Sequence, residues 1–251
     1  MKLKTILSAG CFAASLVAGS AQAVPIIFFG EDLNPGGVVP AGGNAETARN
    51  DFLSNLSGVG NQDFESFAHQ TSISGGGINV SFPGGITANL SGSDGGVCDQ
   101  TMSGNSGGIG CGFGRFPTSG DSYVHNASNM VLNFSTSVAA FGFYGTDFGD
   151  INGTVTVTLT GAGGVQNFDV PSTQSTPANG NVLFWGVIDT QNTFSSVNFS
   201  ASTGNDVFGF DDFVIGDAQQ VNPPTNVPVP ASLALLGLGL AGLGWSRRKK
   251  A

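Results

Sequence analysis

Apolar and polar residues alternate with a period of two along much of this chain. The clearest stretch is Thr154-Val155-Thr156-Val157-Thr158-Leu159-Thr160, where Val155, Val157 and Leu159 share one side of an extended backbone and the threonines the other. Met130, Leu132 and Phe134 alternate likewise with Asn129, Val131, Asn133 and Ser135, and Ala139, Phe141 and Phe143 follow in the next run. Further strands are predicted near 62–69, 78–82, 85–90, 121–125, 164–170, 181–188, 194–200 and 206–215. Short strands with one buried and one wet face, separated by Gly, Ser, Asn and Pro, predict an all-β fold: an antiparallel β-sandwich, jelly-roll-like. The longest loop is expected from Ser91 to Gly120.

Three regions depart from this pattern. In residues 24–60 the spacing of Ala48, Phe52, Leu53 and Leu56 predicts a short helix, with Asn44 as its cap and Glu46 in its first turn, packed across one end of a sheet. Residues 1–23 read as a secretory signal: Lys2 and Lys4, an apolar run from Ile6 to Val17, and the small-x-small site Ala21-Gln22-Ala23 before Val24. A lipoprotein site at Cys11 would want an aliphatic residue where Ser8 stands. Near the other end a Pro-rich linker, 219–226, leads to a tail, 227–251, with an expected hydrophobic helix. The β-sandwich passenger is thus expected over 61–218.

Charge sharpens this organisation. Of the eight basic residues only Arg49 and Arg115 lie in the stretch 24–226, which carries all 17 carboxylates and therefore a formal charge of −15. Such a surface repels nucleic acid and anionic lipid and attracts divalent cations. Cys98 and Cys111 remain once Cys11 leaves with the signal. In an oxidising compartment they are expected to form a disulfide, two buried thiols being the alternative.

The tail has three parts: Val227-Pro228-Val229-Pro230, an uncharged apolar run from Ala231 to Trp245, and Arg247-Arg248-Lys249-Lys250. Those fifteen residues would rise about 22 Å as a helix, short of a hydrocarbon core of about 30 Å, which suits a temporary hold in the inner membrane. The basic cluster is expected to stay cytoplasmic. This layout resembles the PEP-CTERM sorting signal of Gram-negative bacteria, with Val229 standing where glutamate usually lies between the prolines. The resemblance implies cleavage near the prolines by an exosortase, export to the cell surface or extracellular matrix, and association with exopolysaccharide and biofilm.

Candidate chemistry in the passenger is sparse. Gly104-Asn105-Ser106-Gly107-Gly108 fits a G-x-S-x-G elbow, but both flanks are Gly/Ser loop rather than strand and helix, and His69 and His125 form no metal spacing. No catalytic residue is therefore assigned, and the expectation is a protein that is not an enzyme. A better candidate is Phe208-Gly209-Phe210-Asp211-Asp212-Phe213-Val214-Ile215. Strict alternation would put Asp212 with Phe208, Phe210 and Val214, and Asp211 with Val207, Phe213 and Ile215, so one carboxylate would face apolar neighbours and call for a hard cation. If the first and last strands meet, Glu65 joins the pair in a calcium site. In this the passenger resembles lectin-like jelly rolls with a structural calcium; carboxylates that cap a strand end, bond backbone amides or face solvent are the alternative. Asp147-Phe148-Gly149-Asp150-Ile151-Asn152-Gly153 reads as a hairpin turn. The phenylalanines and Trp185 fall at inward positions and read as core.

These features predict a non-catalytic surface or matrix protein. A calcium-dependent carbohydrate-binding module is the second reading and a secreted hydrolase the third.

Overall fold

The computed structural model describes residues 24–101, 111–112, 114–126, 129–149, 153–173, 180–202 and 206–222. The signal segment, the tail and the Gly104–Gly108 elbow lie outside them, so the C-terminal hydrophobic helix has no counterpart among the described residues. No helix among those residues is long and apolar enough to cross a membrane.

Thirteen strands and one helix are described: β1 (Ile26–Asp32), α1 (Asn44–Ser54), β2 (Asn61–Gln62), β3 (Ile78–Ser81), β4 (Thr87–Gly92), β5 (Gly96–Asp99), β6 (Ser122–Asn126), β7 (Asn129–Val138), β8 (Ala140–Thr146), β9 (Val155–Gly161), β10 (Gly164–Val170), β11 (Val182–Ile188), β12 (Phe194–Ala201) and β13 (Phe208–Gly216). They form a sandwich of two antiparallel sheets. One runs β1-β11-β8-β13-β6-β5, with β2 also paired to β13; the other runs β10-β9-β12-β7-β4-β3. Most connections, among them β6 to β7, β7 to β8 and β10 to β11, cross from one sheet to the other, as in a jelly roll.

The alternation read from the sequence holds in the six-stranded sheet. Val155, Val157 and Leu159 of β9, Leu132 and Phe134 of β7, and Val197 and Phe199 of β12 all enter the core between the sheets. Aromatic rings dominate the facing side: Phe143 lies within 5.0 Å of Phe199 and 5.7 Å of Phe210, centroid to centroid, and Trp185 is fully buried.

Three expectations are corrected. Residues 62–69 are not a strand: β2 ends at Gln62, Phe64 turns back at φ 61°, and Glu65 lies in the turn that follows. Two strands went unread, β1 in the N-terminal segment and β5 inside the long loop. And the 147–153 turn is no hairpin, because β8 and β9 belong to different sheets.

Helix α1 lies on the outer face of the seven-stranded sheet. Ala45, Ala48, Phe52 and Leu56 pack there with Ala140, Phe184 and Val214. The sheet admits a helix because Gly186 and Gly142 stand directly opposite each other on β11 and β8, and Gly30 of β1, opposite Phe184, lies two residues along beneath it. A Cβ at Gly30 would stand 2.0 Å from the Asn44 carbonyl oxygen, and one at Gly186 would stand 2.9 Å from Phe52.

The cap is also corrected: Asn44 is the first helical residue, and Gly43 before it makes no side-chain cap. Instead Asp32, at the end of β1, accepts from the N–H groups of Asn44 (2.9 Å) and Ala45 (3.0 Å). A carboxylate there satisfies two orphan donors and complements the helix dipole.

Candidate functional site

The cluster built around the last strand begins with a break in its alternation. Residue partners of β13 on β8 slip by one between Asp211 and Val214, and Asp212 takes φ 49°. This β-bulge puts Phe213 and Ile215, rather than Asp212 and Val214, into the core with Phe208 and Phe210, while Val214 turns out toward α1. Neither aspartate therefore faces the phenylalanines as strict alternation required.

At the same place the neighbour of β13 changes from β6, paired at 208–210, to β2, paired at 213–214. The loop entering β6 fills the gap. Asp211 Oδ2 accepts from the Thr118 N–H (2.7 Å), the Thr118 hydroxyl (3.0 Å) and the Ser119 N–H (3.2 Å), and Oδ1 accepts from the Asp212 N–H. Asp212 accepts from the hydroxyls of Thr118 and Ser119, both at 2.9 Å, and from the Asn61 side-chain amide. Burial, reinforced by the adjacent Asp212, raises the Asp211 carboxyl well above the usual range.

Glu65 is not brought into this pair. Its Oε1 accepts from the N–H groups of Asp121 (2.8 Å) and Ser122 (2.6 Å), farther along the same loop. Among the described residues no three His, Cys, Asp or Glu side chains come together as a metal set. The carboxylate oxygens of Asp211, Asp212 and Glu65 accept from N–H and O–H donors of the 118–122 loop.

The structure also assembles a constellation with no local sequence motif. His69 Nδ1 lies 2.9 Å from Asp99 Oδ2, and His69 Nε2 lies 3.4 Å from Ser122 Oγ. The order Asp, His, Ser matches a hydrolase relay. Two features count against that use: Ser122 is 0% exposed, and the two backbone N–H groups beside it already hold Glu65. The Thr101 N–H, 2.6 Å away, is the largest influence holding the Asp99 carboxyl below its ordinary range.

Both passenger arginines are engaged. Arg115 is buried, its Nη1 3.4 Å from Asp147 and 3.3 Å from the Val207 carbonyl, and the Arg49 guanidinium stands 5.7 Å from the centre of the Tyr144 ring. Cys98 and Cys111 are joined as a disulfide, their Cα atoms 5.7 Å apart, against Tyr123, whose hydroxyl accepts from the Gly112 N–H.

Residues 226–249 match the PEP-CTERM protein-sorting motif. Among solved structures, the K2 cleaved adhesin domain of Lys-gingipain is similar at 14% identity over 62% of this chain and 97% of that one, with a TM-score of 0.38. A mutant of a family 29 carbohydrate binding module, made to probe ligand recognition, is similar at 16% identity over 55% of this chain and 99% of its own, with a TM-score of 0.28. Another family 29 module aligns at 16% identity over 57% and 99%, with a TM-score of 0.27. Similarity at this level identifies neither a ligand nor an activity. No curated protein matches the chain.

Proposed function

We propose that this chain, whose PEP-CTERM motif marks it for export across the inner membrane of a Gram-negative bacterium, exosortase processing and surface display, is a non-catalytic component of the surface or extracellular matrix. In this reading it associates with exopolysaccharide and the biofilm. The observation that carries it is that, among the described residues, the polar groups nominated for chemistry are engaged within the fold. Asp211, Asp212 and Glu65 bind the 118–122 loop, and the Ser-His-Asp arrangement of Ser122, His69 and Asp99 has its hydroxyl buried. A nucleophile without surface cannot meet a polymer, whereas a rigid sandwich can present one of its faces to it.

Fractionating cells that express the full chain tests this reading. The protein is expected in the extracellular matrix fraction, released when the polysaccharide is dispersed, and Ser122→Ala is expected to change neither its location nor any ester or glycoside turnover. A turnover lost on Ser122→Ala would replace this reading with a hydrolase.

A further inference from the structure

Seen from outside, the six-stranded sheet differs from the rest of the molecule in its charge. Its strands β3, β4, β7, β9, β10 and β12 contain one ionisable residue, Asp169 on the edge strand β10, in a passenger with 17 carboxylates. What the outer side presents is mostly hydroxyls and amides in register, with Val131 of β7 and the exposed Val165 of β10 between them. Asn89 stands opposite Asn133, Asn133 opposite Ser196, and Ser196 opposite Thr160, one row across four strands. Two residues along, Asn198 stands opposite Thr158 on one side and Val131 on the other, its Oδ1 buried and without a donor. Such rows repeat about every 4.8 Å across strands and about every 6.8 Å along them, a grid of neutral donors and acceptors.

Among the described residues no helix covers this face. α1 covers the outer side of the other sheet, and the last described residues leave from that same side. Val221 bridges Leu56, and the Asn222 N–H bonds the Asn55 carbonyl at 2.8 Å. The grid is therefore on the opposite sheet from the seam at Val221 and Asn222.

We infer that this face is a binding surface for a neutral, hydroxyl-rich polysaccharide, lying flat across the strands; the inference rests on the matrix reading above and names its ligand class. The chemistry selects the occupant. A polyanion would find no cation on the grid and an acidic molecule behind it. An apolar partner would find only Val131 and Val165, three strands apart among hydroxyls and amides, and a metal would find a single carboxylate. A neutral sugar polymer supplies a donor and an acceptor at every hydroxyl. Each exchange of water for protein is weak, and an extended chain sums many of them.

The test uses the full chain and insoluble probes: cellulose and a neutral β-glucan, with alginate as the anionic control. Retention on a neutral probe is expected, and Asn133→Lys combined with Thr158→Glu, which desolvates charge on the grid without touching the core, is expected to weaken it at least tenfold. Asp51→Lys, on the helix side, is expected to leave it unchanged. Circular dichroism and melting curves confirm that each variant is folded. Equal retention of the grid variant and the wild type would overturn the inference while sparing the matrix reading. So would a wild type that stays in the matrix fraction yet binds alginate alone or none of the probes. Absence from the matrix fraction would instead remove the reading beneath it.

Discussion

Gly142 and Gly186 stand directly opposite each other on β8 and β11, and the ring of Phe52 rests on the bare backbone they share. A helix sits on this sheet because those two positions have no side chains. Gly186→Val is expected to lower unfolding free energy by about 1–3 kcal/mol through overpacking. Phe52→Leu in the same chain is expected to recover part of that loss. Additive losses in the double mutant, measured by urea unfolding, would place the strain elsewhere.

Asp32 caps α1 from a distance of twelve residues in sequence. Asp32→Ala is expected to cost about 1–2 kcal/mol, and Asp32→Asn less, because the amide oxygen can still accept one of the two N–H groups. Equal stability of all three chains would show that the contact contributes nothing.

The Cys98–Cys111 bridge closes a loop across 13 positions. Reduction, or the pair Cys98→Ala and Cys111→Ala, is expected to destabilise by about 3 kcal/mol. The check is the urea midpoint with and without reductant, which should move for the wild type and stay fixed for the double variant.

His125 supplies a pH dependence. Burial first, then the Arg115 charge, brings its pKa from 6.5 down to about 4. Between those values the unfolded chain binds a proton that the folded chain does not, so stability falls as pH drops from 6.5 toward 4, by about 3 kcal/mol. Asp211, raised, acts in the opposite sense: its contribution falls as pH climbs above the ordinary aspartate range. Subtracting the profile of His125→Gln from that of the wild type isolates the histidine. Parallel profiles would show that His125 titrates alike in both states.

The donors around Asp211 and Asp212 imply that no cation is needed to hold the bulge. Melting temperatures in excess chelator and in excess calcium are expected to agree. Thr118→Val, which removes a hydroxyl shared by the two carboxylates, is expected to destabilise by about 1–3 kcal/mol. A melting temperature raised by calcium in the wild type would restore the cation to the account.

How far the sequence could be read follows from how local each signal is. Period-two alternation recorded β7, β9 and β12 directly, because each buries one face against the same core. β5 has only four residues, Gly96–Asp99, inside a Gly-rich loop, and its identity as a strand comes from pairing with β6. β1 opens on four apolar residues without alternation, of which Phe28 packs on the α1 side while Ile27 and Phe29 stay exposed. The bulge at Asp212, in contrast, was written in the chain. The core phenylalanines at 208 and 210 are followed by apolar core positions at 213 and 215, a spacing of three where two is the rule. Fixed alternation hid that slip, and with it the true surroundings of both aspartates. The approach of His69, Asp99 and Ser122 carries no comparable signal, since three separate segments meet only when the β5–β6 edge is built.

The stitching of Val221 and Asn222 to Leu56 and Asn55 has a mechanical side. Tension on the chain beyond Asn222 would first peel that small seam. It would then run along β13, which is flanked by β8 on one side and by β6 and β2 on the other. Pulled lengthwise, such a strand shares the load among all its lateral hydrogen bonds at once, so drag on a displayed molecule is resisted by the middle of its largest sheet.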